Sequence, residues 1–207
     1  MHRRDDDFRT LTDRIRGEVK GHAQWALYQR TVTFARQDAA ASRDELARVL
    51  ELPGYPLWAR ELAAFTLGTA GDRRAFETLV LLLNYRDPVR AATAAVALAR
   101  LGDPRTARAA AALATNPLRT SYSLQAVRLL GRLRAPESVP ALISALERQV
   151  RGPDHHWSVA AACIEGLATM GDERAVPVLT SARVFAELRE PAGEALARIW
   201  RGSTSSA

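Results

Sequence analysis

A short turn recurs along this chain at nearly constant spacing. It reads Thr69-Ala70-Gly71-Asp72, then Arg100-Leu101-Gly102-Asp103-Pro104, Arg132-Leu133-Arg134-Ala135-Pro136 and Thr169-Met170-Gly171-Asp172. The units start at residues 41, 73, 105, 137 and 173, with spacings of 32, 32, 32 and 36 residues. Self-similarity at this period is the mark of a repeat architecture, in which each unit buries its apolar face only by stacking on its neighbours. Within a unit the apolar positions fall at two successive helical spacings. Phe76, Leu79, Leu82 and Leu83 share one face, the turn Asn84-Tyr85-Arg86-Asp87-Pro88 follows, and Val89, Ala92, Val96 and Leu98 line a second helix. Pro88 stands where a first helical turn tolerates it, and Gly102 where a helix ends on a left-handed residue. The expected fold is therefore all-α: a right-handed α-solenoid of about six helical hairpins.

The domain reading follows from the same punctuation. Residues 1–40 form a divergent N-terminal capping hairpin, with Phe8, Leu11, Ile15 and Val19 on one face and Trp25, Tyr28, Val32 and Ala35 on the next. Residues 41–202 hold five repeats, at 41–72, 73–104, 105–136, 137–172 and 173–202. Residues 203–207 are expected to be a disordered tail. Terminal units of such stacks depart from the pattern because one of their faces meets water.

The motifs resemble the HEAT repeat, and in particular the short variety found in the phycobilisome lyases. Asp87-Pro88-Val89-Arg90 opens a second helix as that repeat does, and Val139-Pro140-Ala141-Leu142 and Val176-Pro177-Val178-Leu179 open first helices. The resemblance implies an armadillo-like helical fold and says little about activity. The same repeat occurs in bilin lyases, DNA glycosylases and adaptors.

Composition excludes several classes. The single cysteine, Cys163, rules out a disulfide within the chain and a four-cysteine metal site. No run of about 18 apolar residues exists, so no membrane partner is expected. The polar, charged stretch of residues 1–7 is followed by no apolar region, so no secretory leader is expected either, and the cytoplasm is the expected location. The formal charge is +6, but all except one of the 29 basic side chains are arginine. That bias reflects genome composition as readily as phosphate contacts. Gly-rich phosphate loops, nucleophile elbows and paired metal-ligand motifs are absent from the sequence. No cofactor, metal or catalytic residue is expected, and catalysis itself is not expected.

Ligands of helical-repeat stacks usually meet the second helices and one ridge of turns. Successive units carry arginine or an aromatic there: Trp58 and Arg60, then Tyr85, Arg86 and Arg90, then Arg119 and Tyr122, then His155, His156 and Trp157. Such a stripe suits an acidic partner through bidentate guanidinium contacts and stacking. Arg90 and Arg60 have an alternative role, because the arginine opening a second helix pairs with the preceding turn, as Arg90 would with Asp87. Adjacent His155 and His156 point apart on a helix and do not favour one ion. Cys163 reads as buried packing, and Glu61 and Glu165 read as solvated. These features lead to a non-catalytic scaffold or adaptor that binds a protein or peptide partner through its concave surface. The alternatives are a nucleic-acid binder tracking phosphates with the arginine stripe, and a lyase- or chaperone-like helper for a tetrapyrrole or modified peptide.

Overall fold

A computed structural model describes the backbone of residues 2–37 and 39–204, and the side chains of 5–37 and 39–201. Among the described residues there are helices and no strand. In chain order the helices are α1 (His2–Glu18), α2 (Gly21–Arg36), α3 (Ala40–Glu51), α4 (Leu57–Thr69), α5 (Phe76–Leu83) and α6 (Pro88–Leu101). They continue with α7 (Arg105–Thr115), α8 (Leu124–Leu133), α9 (Ser138–Arg151), α10 (Trp157–Met170), α11 (Val176–Ala182) and α12 (Ala186–Thr204). Short 3-10 turns precede α5, α8 and α11. The repeated helical arrangement is that of an all-α, HEAT-type solenoid.

Local chemistry sets the helix ends. Asp87 accepts hydrogen bonds from the backbone N–H of Val89 and Arg90, and Pro88 fills the first turn of α6. Three aspartates share one device. Asp72, Asp103 and Asp172 each accept the N–H of the residue two positions on, and each pairs with that residue's guanidinium: Arg74, Arg105 and Arg174. These hydrogen bonds hold the three carboxyls below the usual aspartate range. Gly102 and Gly171 end α6 and α10 in the left-handed region, at φ 65° and 68°. At the corresponding turn after α8 a side chain tolerates it instead: Arg134 has φ 51°.

The chain divides into two compact units, Met1–Thr106 and Ala107–Ala207. In the first, α3 packs on α4, α5 on α6, and α4 on both α5 and α6. Its core gathers Leu62, Phe65, Leu67, Leu79, Leu83 and Leu98. In the second, α10 packs on α8, α9 and α12, and α11 on α12. Leu129, Leu142, Leu146, Cys163, Leu167 and Leu196 are buried there. Burial at about 25 cal/mol per Å² of apolar surface holds both cores together.

The N-terminal segment is arranged by its charges as well as its apolar face. α2 packs on α3 and α4, while α1 packs on α4 with Leu11 and Ile15 buried. Three of its side chains also reach charged partners on α4 and α6, as described below. α12 runs through Thr204, and residues 205–207 of the expected tail lie outside the described residues.

Candidate functional site

In the first unit the residues singled out from the sequence fall into two groups. Trp58, Arg60 and Arg90 are engaged within the protein. Trp58 is 4% exposed and meets Tyr28 edge-on at 6.2 Å. Arg60 closes the C-terminal end of α3, donating to the carbonyls of Leu50, Leu52 and Tyr55 at 3.3, 2.9 and 3.4 Å. Arg90 pairs with Asp87 at 3.2 Å, and also with Glu18 and Glu61, each at 2.6 Å. Tyr85 and Arg86 sit exposed on the turn before α6.

In the second unit Arg119 and Tyr122 lie on the 3-10 turn Pro117–Tyr122. The inserted loop folds back on α9. Buried Gln149 accepts the His156 N–H through its side chain at 2.8 Å, and its carbonyl meets His155 Nδ1 at 2.6 Å. His155 stacks on Trp157 at 4.6 Å, and both rings pack against Phe185. The two histidines therefore secure the loop, and among the described residues no cluster of three metal-ligating side chains forms.

Glu61 departs from the sequence reading. It is fully buried, and Arg14 of α1 and Arg90 of α6 pair with its two oxygens. Burial raises its pKa, and the two guanidinium groups oppose that shift. Glu18 completes the set by bridging Arg14 and Arg90 at 2.7 and 2.6 Å. For Arg90 burial disfavours the charge, but these carboxylates more than offset it and its pKa rises. Asp7 adds a further link, meeting Arg100 at 2.7 Å. Glu61 has no partner within its own repeat, so helical periodicity alone could not reveal the network.

A different surface carries open charge. The face shared by α8 and α10 holds a cleft of about 390 Å³, walled by Arg128, Arg132, Glu165 and Thr169. Its floor is Gly131, Ala162 and Gly166. The two helices touch at the glycines: a Cβ on Gly131 would stand 3.2 Å from the Gly166 Cα. Arg128 and Arg132 stand one turn apart on α8 and are exposed, as is Glu165 on α10. None of the three makes an ion pair among the described residues. The sequence signal was available in the Arg-x-x-x-Arg spacing around Gly131, but Gly166, which faces it, comes from another repeat.

Residues 120–197, which include this cleft, match the family model described as HEAT repeats. The match agrees with the resemblance carried by Val139-Pro140-Ala141-Leu142 and Val176-Pro177-Val178-Leu179. A solved structure, human deoxyhypusine hydroxylase in complex with glycerol, aligns with 97% of this chain and 96% of its own, at 15% identity and TM-score 0.35. No curated protein is significantly similar. The expectation of a non-catalytic scaffold or adaptor is corrected here: the structural relative is an enzyme, so helical repeats do not by themselves argue against catalysis. At that similarity no activity transfers from it. No described helix is long and apolar enough to cross a membrane.

Proposed function

We propose that this chain recognises an anionic ligand, one bearing carboxylate or phosphate, at the cleft between α8 and α10. The observation behind the reading is a pair of guanidinium groups, Arg128 and Arg132, above a floor of glycine and alanine, with no ion pair among the described residues. Guanidinium groups present forked donors matched to carboxylate and phosphate oxygens. A floor without bulky side chains lets a ligand approach the helix backbones. Glu165 on the facing wall sets polarity across the cleft, so the reading favours a ligand whose anionic end lies toward α8.

The test is a titration of the full chain with inorganic phosphate and, separately, with glutarate, followed by amide NMR. Shifts centred on residues 128–132 and 162–169 that vanish in Arg128→Ala/Arg132→Ala support the reading. Shifts that are absent, or unchanged in that variant, overturn it. The relative response to the two anions separates phosphate from carboxylate preference.

A further inference from the structure

The first unit contains its own example of what a helix-B face accepts. α1 lies on α4, and its carboxylates reach α6, with Asp7 on Arg100 and Glu18 on Arg90. Arg100 sits near the C-terminal end of α6 and Arg90 near its start, so α1 runs antiparallel to α6. The runs Ala99-Arg100-Leu101-Gly102-Asp103-Pro104 and Gly131-Arg132-Leu133-Arg134-Ala135-Pro136 occupy the same place in successive repeats. Arg132 is therefore the counterpart of Arg100. One turn earlier, Val96 is replaced by Arg128. Val96 lines a gap of about 220 Å³ beneath Asp7 and Leu11 of α1. The α8 face thus keeps the carboxylate-binding arginine and exchanges its apolar neighbour for a second one.

Building on the proposed anion recognition, we infer that the α8–α10 cleft docks an acidic helix of a partner chain. The helix runs antiparallel to α8, with two carboxylates one turn apart against Arg132 and Arg128. Several features favour a helix over a compact phosphate. The arginines are spaced along α8 by one turn, about 6 Å, which matches carboxylates at i and i+4 on a second helix. Glu165 repels a compact dianion filling the cleft. A helix instead keeps its carboxylates on the α8 side and can offer a basic residue to Glu165, as α1 offers Arg14 to Glu61. The glycine floor leaves room for one of the partner's side chains.

The experiment is fluorescence anisotropy of the full chain with a labelled alanine-based helical peptide carrying Glu at i and i+4. A peptide of identical composition with the two Glu on opposite faces is the control. The paired peptide is expected to bind about tenfold tighter than the control, the effect of roughly one further charge-assisted contact. Arg128→Ala/Arg132→Ala should abolish the difference, and Arg108→Ala, at an exposed position of α7, should retain it. Arg132→Glu should regain binding to a peptide with Lys at the matching position. Equal binding of both peptides, or a preference that persists in the double variant, overturns the inference. Arginine-dependent phosphate or glutarate binding without peptide binding leaves anion recognition standing and overturns the helix. Failure of all probes overturns both.

Discussion

Glu18 in α1 and Arg90 in α6 meet at 2.6 Å across 72 residues of sequence. Neither belongs to a local pair alone, since Arg90 also holds buried Glu61 and Glu18 also holds Arg14. Four charges from three helices share one partly desolvated site. Removing a member of such a set leaves its partners uncompensated, and that penalty exceeds the net worth of the intact pairs. Glu61→Ala is therefore expected to cost about 3 kcal/mol in urea unfolding. A loss below about 1 kcal/mol would show that the arginines reach water.

α1 is attached to α6 mainly by charge, because the gap beneath Asp7 and Leu11 leaves its apolar contact there incomplete. Asp7→Ala/Glu18→Ala should accelerate hydrogen exchange of α1 amides while those of α4 and α6 stay protected. Half a molar salt should act in the same direction on the parent protein, since partly exposed pairs are screened. Uniform acceleration through the first unit would instead mean that α1 belongs to one cooperative block.

The capping aspartates set the acid limit. Asp72, Asp103 and Asp172 have folded pKa values lowered chiefly by hydrogen bonds from Arg74, Arg105 and Arg174. A depressed folded pKa contributes stability that is present above the unfolded value, near 3.8, and is lost as pH falls through the folded value. Stability should thus decline below about pH 4, and the decline should be shallower in Asp72→Asn/Asp172→Asn. Stability measured by denaturant at several pH values checks it. At neutral pH, Asp87→Ala should cost about 1 kcal/mol through the lost cap on α6.

The contact between α8 and α10 depends on absent side chains. A Cβ on Gly166 would come within 2.8 Å of Leu142 Cδ1, and one on Gly131 within 3.2 Å of the Gly166 Cα. Gly131→Val should destabilise the protein by about 1–3 kcal/mol, because backbone cannot yield as a side chain can. Thermal unfolding measures the loss. A value near zero would mean that α8 and α10 slide apart at little cost.

Cys163 is completely buried, and burial pushes its thiol pKa up to about 12. The folded protein should resist Ellman's reagent at neutral pH, with labelling limited by opening of the second unit. Rapid stoichiometric labelling under native conditions would contradict that burial.

Much of the architecture was legible because it is a local matter repeated several times. Asp87-Pro88, Gly102 and the apolar spacing of α5 and α6 each act within a few residues. The caps and left-handed glycines appear where those motifs placed them. The Asp87–Arg90 pair was equally local, and it forms. The destination of Glu61 could not be read in this way, because its partners lie 47 and 29 residues away in other helices. Arg60, expected to pair with the segment before its helix, does bond there, but its partners are the backbone carbonyls of Leu50, Leu52 and Tyr55, which no side-chain pattern singles out because every residue has a carbonyl.

The sequence by itself determined that this chain is built of helical hairpins, where α6 is capped and where it ends, and most of the apolar positions that pack in the core. Those properties rest on short-range sterics and on a periodic apolar pattern that recurs in each repeat. Only the tertiary structure decided that α1 turns back over α4 and α6, and that Arg128 and Arg132 stand above glycines supplied by two repeats. The reason is physical. Charge pairing and close backbone approach depend on distance in space, and helical period does not encode which faces of different helices come to lie together.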